Sequence, residues 1–274
     1  MPKIQVRPRV DAMLRDNTPV QDYQRQYGLW VKREDLSCPP PGPPFSKARG
    51  VWKRVSSRPE KIIGVLDTRH SQAGHAVARA CQLLGKQCIT YYPEFKHEPG
   101  WRPPQERARE LGSELVGLPA GRSAILYHQA RKLTEGWGGY MMPNALKLEE
   151  SVAETAKEVP DLGCDVVLVP ASSATIAAGV VKGFRDLGQH PKIVLHLGYS
   201  RSHEEVRRYI ASMTGFDAKI DIIDEGYAYK DVAKPGETPP WPCNEYYDLK
   251  CFRWWMETGK TLYQSQTVLF WNIG

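Results

Sequence analysis

Short apolar runs alternate along the chain with longer segments in which apolar residues recur every three or four positions. The short runs predict strands in the segments 28–35, 61–67, 87–93, 113–118, 140–144, 164–170, 192–199 and 219–224. The longer segments predict helices over 48–56, 73–84, 103–111, 123–134, 146–159, 174–187 and 202–214. This alternation is typical of an α/β fold in which helices cover both faces of parallel sheets. Ligands of such folds bind at the carboxyl ends of the strands.

The strand CDVVLVP (164–170) is apolar throughout, as expected for a strand that is covered on both faces. It runs into ASSATIAAG (171–179), a turn of small and hydroxyl residues that opens a helix. The free N–H groups and the positive dipole end of that helix predict a phosphate cup. An ordinary capped helix with small residues for close packing is the alternative. The turn has neither the G-K-[ST] element of a P-loop nor a G-x-G-x-x-G fingerprint.

Two further stretches carry candidate chemistry. The strand at 61–67 is followed by a turn that holds Ser71, Gln72, Gly74 and His75. Lys47 lies in PFSKARGVW (44–52), between a proline-rich approach and a predicted helix. Most lysines are solvated surface residues, so Lys47 gains significance only from the motifs that follow it along the chain.

Composition narrows the function classes. The 274 residues are 41% hydrophobic and 25% charged, which is ordinary for a globular protein of one or two domains. The net charge of +6 suits anionic ligands and leaves nucleic acid open as a partner. The longest apolar stretch, 166–181, is interrupted by Pro170 and by hydroxyl residues, so we expect no membrane span. The six cysteines form no C-x-x-C pair, which favours a reduced, cytoplasmic protein without a metal site.

Taken in order, these motifs resemble the fold type II pyridoxal-phosphate (PLP) enzymes. The branch that they resemble contains aminocyclopropane-carboxylate (ACC) deaminase and D-cysteine desulfhydrase. TPVQDYQRQYGLWVKREDL (18–36) and FSKARG (45–50) resemble the segments around the cofactor lysine. DTRHSQAGHAVARACQLLGKQCITYYP (67–93) resembles the serine-containing segment of the family. PASSATIAAG (170–179) resembles its phosphate loop, and TVLFWNIG (267–274) resembles a stretch near its end.

The resemblance implies a role for each motif. Lys47 would be the Schiff-base lysine, and Arg49 fills the arginine position of the same motif. Ser71 would act near the substrate α-carbon, and Gln72 would contact the ring hydroxyl of the cofactor. The phosphate would be bound by Ala171, Ser172, Ser173, Ala174 and Thr175. The resemblance also implies two α/β domains with the cofactor in the cleft between them, and a homodimer. The large domain would comprise residues 1–58 and 143–274, and the small domain 59–142.

The sequence departs from the family pattern at the cofactor site. Its phosphate loop lacks the family's glycines, so a looser approach of the backbone to the phosphate is expected. Gln72 and Ser46 stand where the family has asparagines. Ile273 stands where a threonine would contact the pyridine nitrogen.

The substrate side is predicted from aromatic residues near the carboxyl terminus. Tyr227, Tyr229, Tyr246 and Tyr247 lie where relatives place substrate-side tyrosines, and we take Tyr227 and Tyr246 as the substrate contacts. His75 would either bind substrate or cap its helix. The proline-rich stretch 232–243 is expected to form a loop over the site.

Three functions are consistent with these features. The first is a PLP-dependent lyase or deaminase that acts on a small amino acid through an α-carbanion. The second is an enzyme of the same cofactor class that modifies an amino acid attached to a nucleobase in DNA, for example by decarboxylation; the altered loops and the basic charge motivate it. The third is a relative that kept the fold and lost catalysis.

Overall fold

The computed structural model of the protein describes residues 14–68, 70–95, 97 and 100–274. Residues 1–13, which the predicted large domain includes, lie outside the described residues. The strands that are described form two separate sheets, one of six strands and one of four. This confirms the predicted α/β architecture with two predominantly parallel sheets.

The six-stranded sheet has the order β1-β2-β10-β7-β8-β9. Its strands are β1 (Val20–Tyr23), β2 (Leu29–Arg33), β7 (Val166–Ala171), β8 (Lys192–Leu197), β9 (Ile220–Ile223) and β10 (Val268–Asn272). Five of these strands run parallel, whereas β1 pairs antiparallel with β2, with Val20 opposite Lys32. The antiparallel edge follows from the short connection, because β1 returns to β2 through only a short helical turn.

The four-stranded sheet is parallel and has the order β5-β4-β3-β6. Its strands are β3 (Ile62–Leu66), β4 (Gln87–Glu94), β5 (Glu114–Pro119) and β6 (Tyr140–Met141). The predicted strand over 140–144 is therefore shorter than expected, since a 3-10 turn at Asn144–Leu146 follows Pro143.

The helices follow the strands closely. They are α1 (Gln24–Tyr27), α2 (Ala48–Ser57), α3 (Ala73–Leu84), α4 (Pro103–Glu110), α5 (Ser123–Gly136), α6 (Glu149–Lys157), α7 (Thr175–Asp186), α8 (His203–Thr214), α9 (Asp248–Trp254) and α10 (Lys260–Leu262). A π-helical turn, Trp255–Gly259, joins α9 to α10. Helix α3 ends at Gly85, whose φ of 64° suits the left-handed C-cap of a helix.

Both faces of the large sheet are buried, and this explains its continuous apolar strands. Along β7, Val167 and Val169 face a core cluster that includes Phe184 of α7. The alternate residues Val166 and Leu168 face a second cluster, formed with α9 and the π-helical turn. Because successive side chains of a strand point to opposite faces, a strand covered twice must be apolar at every position.

We propose that the chain divides into the two predicted domains along these sheets. Strands of the large sheet come from residues 20–33 and 166–272, and strands of the small sheet come from residues 62–141. Among the described helices, none combines the length and the apolar character that a membrane crossing needs.

Candidate functional site

A cavity of about 460 Å³ lies between the two sheets, at the carboxyl ends of their strands. Its wall contains the segments that follow β3, β7, β8 and β10, together with Lys47. Cavities of this size are typical of small-molecule sites. The structure thus brings together Lys47, Ser71, Gln72 and the turn 171–175, which are far apart in the sequence.

Lys47 is buried at the amino end of α2. Its Nζ donates hydrogen bonds to the Ala145 carbonyl and to Ser173 Oγ, each at 2.7 Å. The preceding residue is anchored as well, because the Ser46 N–H donates to the Ile273 carbonyl at the end of β10. These contacts fix the amine at the junction of α2, the turn before α6 and the predicted phosphate cup.

Burial, together with the smaller effect of the nearby positive charge of Lys147, lowers the pKa of Lys47 from 10.5 to about 7. No described carboxylate forms an ion pair with Lys47 that would offset this burial. At neutral pH a large fraction of the amine is therefore uncharged and nucleophilic.

The predicted phosphate cup joins β7 to α7. Ser173 Oγ lies 3.0 Å from Thr175 Oγ1, which in turn lies 3.0 Å from the Tyr209 hydroxyl. The first N–H groups of α7 have no partner within the helix and point toward this turn. Hydroxyls and helix N–H groups therefore converge on one end of the cavity.

Ala174 keeps a glycine-like conformation although it is not glycine. Its φ of 62° places it in the left-handed region, and it is the N-cap residue of α7. A residue with a side chain pays about 1 kcal/mol for that conformation. The turn therefore keeps a backbone shape that normally requires glycine, although it lacks the family's glycines.

The Ser71 turn forms the opposite wall of the cavity. Ser71 Oγ accepts a hydrogen bond from the Ala73 N–H at 3.0 Å and so caps the first turn of α3. Both Ser71 and Gln72 line the cavity. Ile273 also lines it, but its N–H donates to Asp248 Oδ1 at 2.7 Å and its side chain offers no hydrogen-bonding group.

The tyrosines of the cavity wall are not the two that we predicted as substrate contacts. Tyr229 and Tyr247 line the cavity with Tyr199, whereas Tyr227 and Tyr246 lie outside that wall. The Lys250 ammonium lies over the Tyr227 ring, 4.4 Å from the ring centroid. Tyr246 stacks on His70 with ring centroids 4.2 Å apart. Both pairs lie in irregular segments rather than strands, so no sequence period showed which tyrosine of each pair lines the cavity.

His75 and the proline-rich stretch also lie elsewhere. His75 Nε2 is 2.8 Å from the Pro41 carbonyl, and the ring borders a separate cavity beside the proline-rich loop before Lys47. Burial lowers the pKa of His75, which favours a neutral ring with a structural role. None of residues 232–243, all of which are described, lines the main cavity; Trp241 instead packs into the core beneath β2 and β10.

Sequence reasoning missed two cationic residues of the wall, Lys147 and Arg201. Arg201 donates a hydrogen bond to the Ser172 carbonyl, and the Lys147 ammonium lies 4.5 Å from the centroid of the Tyr209 ring. A signal for Arg201 was available, since it follows the end of β8, where ligand-binding residues of parallel sheets concentrate.

The comparisons with known proteins agree with this geometry. Residues 12–222 match the family described as "Pyridoxal-phosphate dependent enzyme". The chain belongs to this family. The match spans the lysine, the Ser71 turn and the phosphate cup.

Individual relatives add further detail. The chain is 47% identical over 280 residues to the "Glycyl-dTMP PLP-dependent decarboxylase" of Pseudomonas phage M6, covering 96% of this chain and 100% of the relative. Among solved structures, an ACC deaminase homologue superimposes with a TM-score of 0.79 at 17% identity, covering 96% of this chain and 90% of that one. A fungal L-serine ammonia-lyase from Rhizomucor miehei gives a TM-score of 0.64 at 14% identity, covering 95% of this chain and 94% of that one. At such identities the two structures establish the shared fold.

The residues present fit the cofactor of this family. PLP needs an amine for its aldehyde, and Lys47 supplies a buried amine with a lowered pKa. It also needs a phosphate site, and the hydroxyls of Ser173 and Thr175 lie at the amino end of α7, on the side of Lys47. One cavity therefore holds a buried amine and a candidate phosphate site.

The lowered pKa of Lys47 gives a testable pH dependence. Only the neutral amine attacks the PLP aldehyde, so the rate of cofactor attachment to the apoprotein should rise with pH and level off above pH 7. Stopped-flow absorbance after mixing apoprotein with PLP measures this rate. A midpoint near 10, the region of an ordinary lysine, would contradict the assignment of a buried, uncompensated amine.

Proposed function

We propose that this PLP-dependent enzyme decarboxylates an amino acid that is joined to a thymine nucleotide. The observation that carries the proposal is the full-length similarity to the phage M6 glycyl-dTMP decarboxylase. The alignment spans 100% of the relative and 96% of this chain.

The composition of the cavity wall supports a nucleobase conjugate. Tyr199 and Tyr229 meet edge to face with ring centroids 5.0 Å apart, and Tyr247 lines the same cavity. Aromatic side chains stack on bases with about 1–3 kcal/mol per base. A cavity built only for a small amino acid has no evident need for three tyrosines.

The chemistry divides between cofactor and protein. When bound, PLP withdraws electrons from the α-carbon of an attached amino acid. In decarboxylation the bond from the α-carbon to the carboxyl carbon breaks, the electron pair stays on the α-carbon, carbon dioxide leaves, and one proton is added to that carbon. Elimination of ammonia would start instead with loss of the α-proton.

Lys47 is the residue best placed to deliver the proton. Its Nζ lies beside Ser173 Oγ and the Ala145 carbonyl, in a site where its pKa is about 7. Such a pKa suits a group that takes up and donates a proton at neutral pH. Ser71, on the opposite wall, would orient the carboxylate or assist the transfer.

A substrate panel tests the proposed function. The PLP-loaded protein should convert glycyl-dTMP to its decarboxylated amine, followed by mass spectrometry, and should act at least about 100-fold more slowly on D-cysteine, D-serine and aminocyclopropane carboxylate. Release of ammonia from one of these small amino acids with no turnover of glycyl-dTMP would favour the lyase alternative. Absence of cofactor binding would favour the non-catalytic one. The homodimer stays a prediction.

A further inference from the structure

Lys147 and Arg201 form a pair of cations on one wall of the cavity, beside the phosphate cup. Lys147 is exposed and Arg201 is half-buried, so both can reach a ligand that enters from solvent. They lie close enough that the positive charge of Arg201 contributes to lowering the pKa of Lys147, after the larger effect of burial. Two cations that share one cavity wall create a positive potential there, which favours an anionic ligand.

The donors of this pair are largely uncommitted. Among the described residues, Arg201 has one hydrogen bond, from Nη1 to the Ser172 carbonyl. A guanidinium has five N–H donors, so most of them stay available for a ligand. The Lys147 ammonium lies over the face of the Tyr209 ring and has no hydrogen-bond acceptor or ion pair in the described part of the chain. Glu205, in the first turn of α8, is the acidic group that partly offsets its charge.

The cofactor does not account for these cations. The cup already offers its helix N–H groups and the Ser173 and Thr175 hydroxyls to one phosphate. Arg201 binds the Ser172 carbonyl, an acceptor that helps to hold this guanidinium beside the cup. Lys147 is exposed, whereas Ser173 and Thr175 are buried, so the pair is the more accessible part of this wall.

We propose that Lys147 and Arg201 bind the phosphate of the thymine nucleotide substrate and so select nucleotides over free amino acids. This inference rests on the proposed function, which supplies the nucleotide. A phosphate suits the pair chemically, because a guanidinium binds it through paired N–H donors and an ammonium adds a point charge. The same chemistry applies to the monoester of a free nucleotide and to the diester of a DNA strand.

Binding measurements on the PLP-loaded, full-length protein test this proposal without turnover. Calorimetry should show that dTMP binds about tenfold or more tightly than thymidine. Lys147→Gln should reduce this preference about tenfold and change thymidine binding less than about twofold. Arg201→Gln should act in the same direction. The matched control is Lys182→Gln, which removes an equal charge from a lysine that pairs with Asp186 outside the cavity and should leave the preference unchanged.

The arms of the experiment separate the sources of the phosphate. If a short thymidine oligonucleotide binds more tightly than dTMP and Lys147→Gln weakens its binding, the ligand is the DNA diester. If dTMP binds more tightly than the oligonucleotide, the ligand is the free nucleotide. Equal binding of dTMP and thymidine to the wild-type protein would overturn the proposal. A Lys147→Gln variant that keeps its dTMP preference, or whose main defect is weaker PLP binding, would do so as well.

These outcomes differ from failure of the proposed function. If glycyl-dTMP is not decarboxylated but the Lys147-dependent preference for dTMP persists, the reaction is misassigned and the phosphate site stands. If glycyl-dTMP is decarboxylated and Lys147→Gln leaves both dTMP binding and KM unchanged, the reaction stands and the phosphate site is refuted.

Discussion

Replacing Lys47 with alanine is expected to abolish covalent attachment of PLP and to reduce turnover about 10³-fold or more. Lys47 lines the cavity with a buried amine. This amine reaches the phosphate cup through its hydrogen bond to Ser173 Oγ. The substitution removes the amine that we expect to bind the cofactor aldehyde and that we propose as the proton donor. Absorbance of the purified protein in the visible region reports the attachment, and borohydride reduction with peptide mass spectrometry locates it.

Two variants make the Lys47 test specific. Lys47→Arg keeps the positive charge but cannot form the link to the aldehyde, so it should fail as completely as Lys47→Ala. Lys53→Ala removes a half-exposed lysine of the same helix, paired with Glu154, and should keep both the visible band and turnover. A band that survives unchanged in Lys47→Ala would show that another lysine carries the cofactor.

Replacing Arg49 with methionine is expected to destabilise the protein by about 3–5 kcal/mol. Arg49 binds Glu34 through two hydrogen bonds, of 2.8 and 3.0 Å, and its Nη2 lies 3.1 Å from Glu158. Lys32 completes the group with an ion pair of 2.8 Å to Glu158. All four side chains are buried, so the substitution leaves carboxylates in the interior without their main counter-charge.

Urea or thermal unfolding of the apoprotein measures this effect, and the thermal midpoint should fall by roughly 10 °C. Lys53→Met breaks a half-exposed pair and is the matched control, with an expected loss of about 1 kcal/mol or less. The double variant Glu34→Gln/Arg49→Met should recover part of the stability, because it also removes one of the unpaired charges. A loss for Arg49→Met no larger than for Lys53→Met would contradict the buried network.

This network gives a physical reason for two motifs that the sequence presented only as a resemblance. Glu34, just after β2 in the segment 18–36, and Arg49 of the lysine motif bind each other, so the two segments dock as a unit. That docking, with the bond from the Ser46 N–H to the Ile273 carbonyl, presents Lys47 to the cavity. Neither motif reveals the contact by itself, because the partners are brought together by the tertiary fold.

Local patterns predicted most elements with near-correct boundaries, and helix α3 over 73–84 matched the prediction. Strand β10 was not predicted, although it lies between β2 and β7 in the large sheet. Leu269 of β10 pairs with Trp30 of β2, more than 200 positions away in the sequence. A local sequence period does not predict such a distant pairing. The antiparallel β1 was not predicted either, because its sequence VQDY has little apolar character.

The site was predictable where chain order carries the information. Four parts of the predicted site line the cavity: Lys47, Ser71, Gln72 and the 171–175 turn. Each lies just after the carboxyl end of a strand or directly before a helix. The substrate side was not predictable, because it depends on side-chain direction in irregular segments. Adjacent Tyr246 and Tyr247 differ in this way, one stacked on His70 and the other in the cavity wall.

The proposed reaction removes the carboxyl group of an amino acid joined to a thymine nucleotide. The decisive measurement is the carbon balance of glycyl-dTMP labelled with ¹³C at the carboxyl group, with the Lys47→Ala protein as control. We expect one equivalent of labelled carbon dioxide for each amine formed, and none from the Lys47→Ala protein. Release of ammonia with the label retained in the nucleotide product would contradict it.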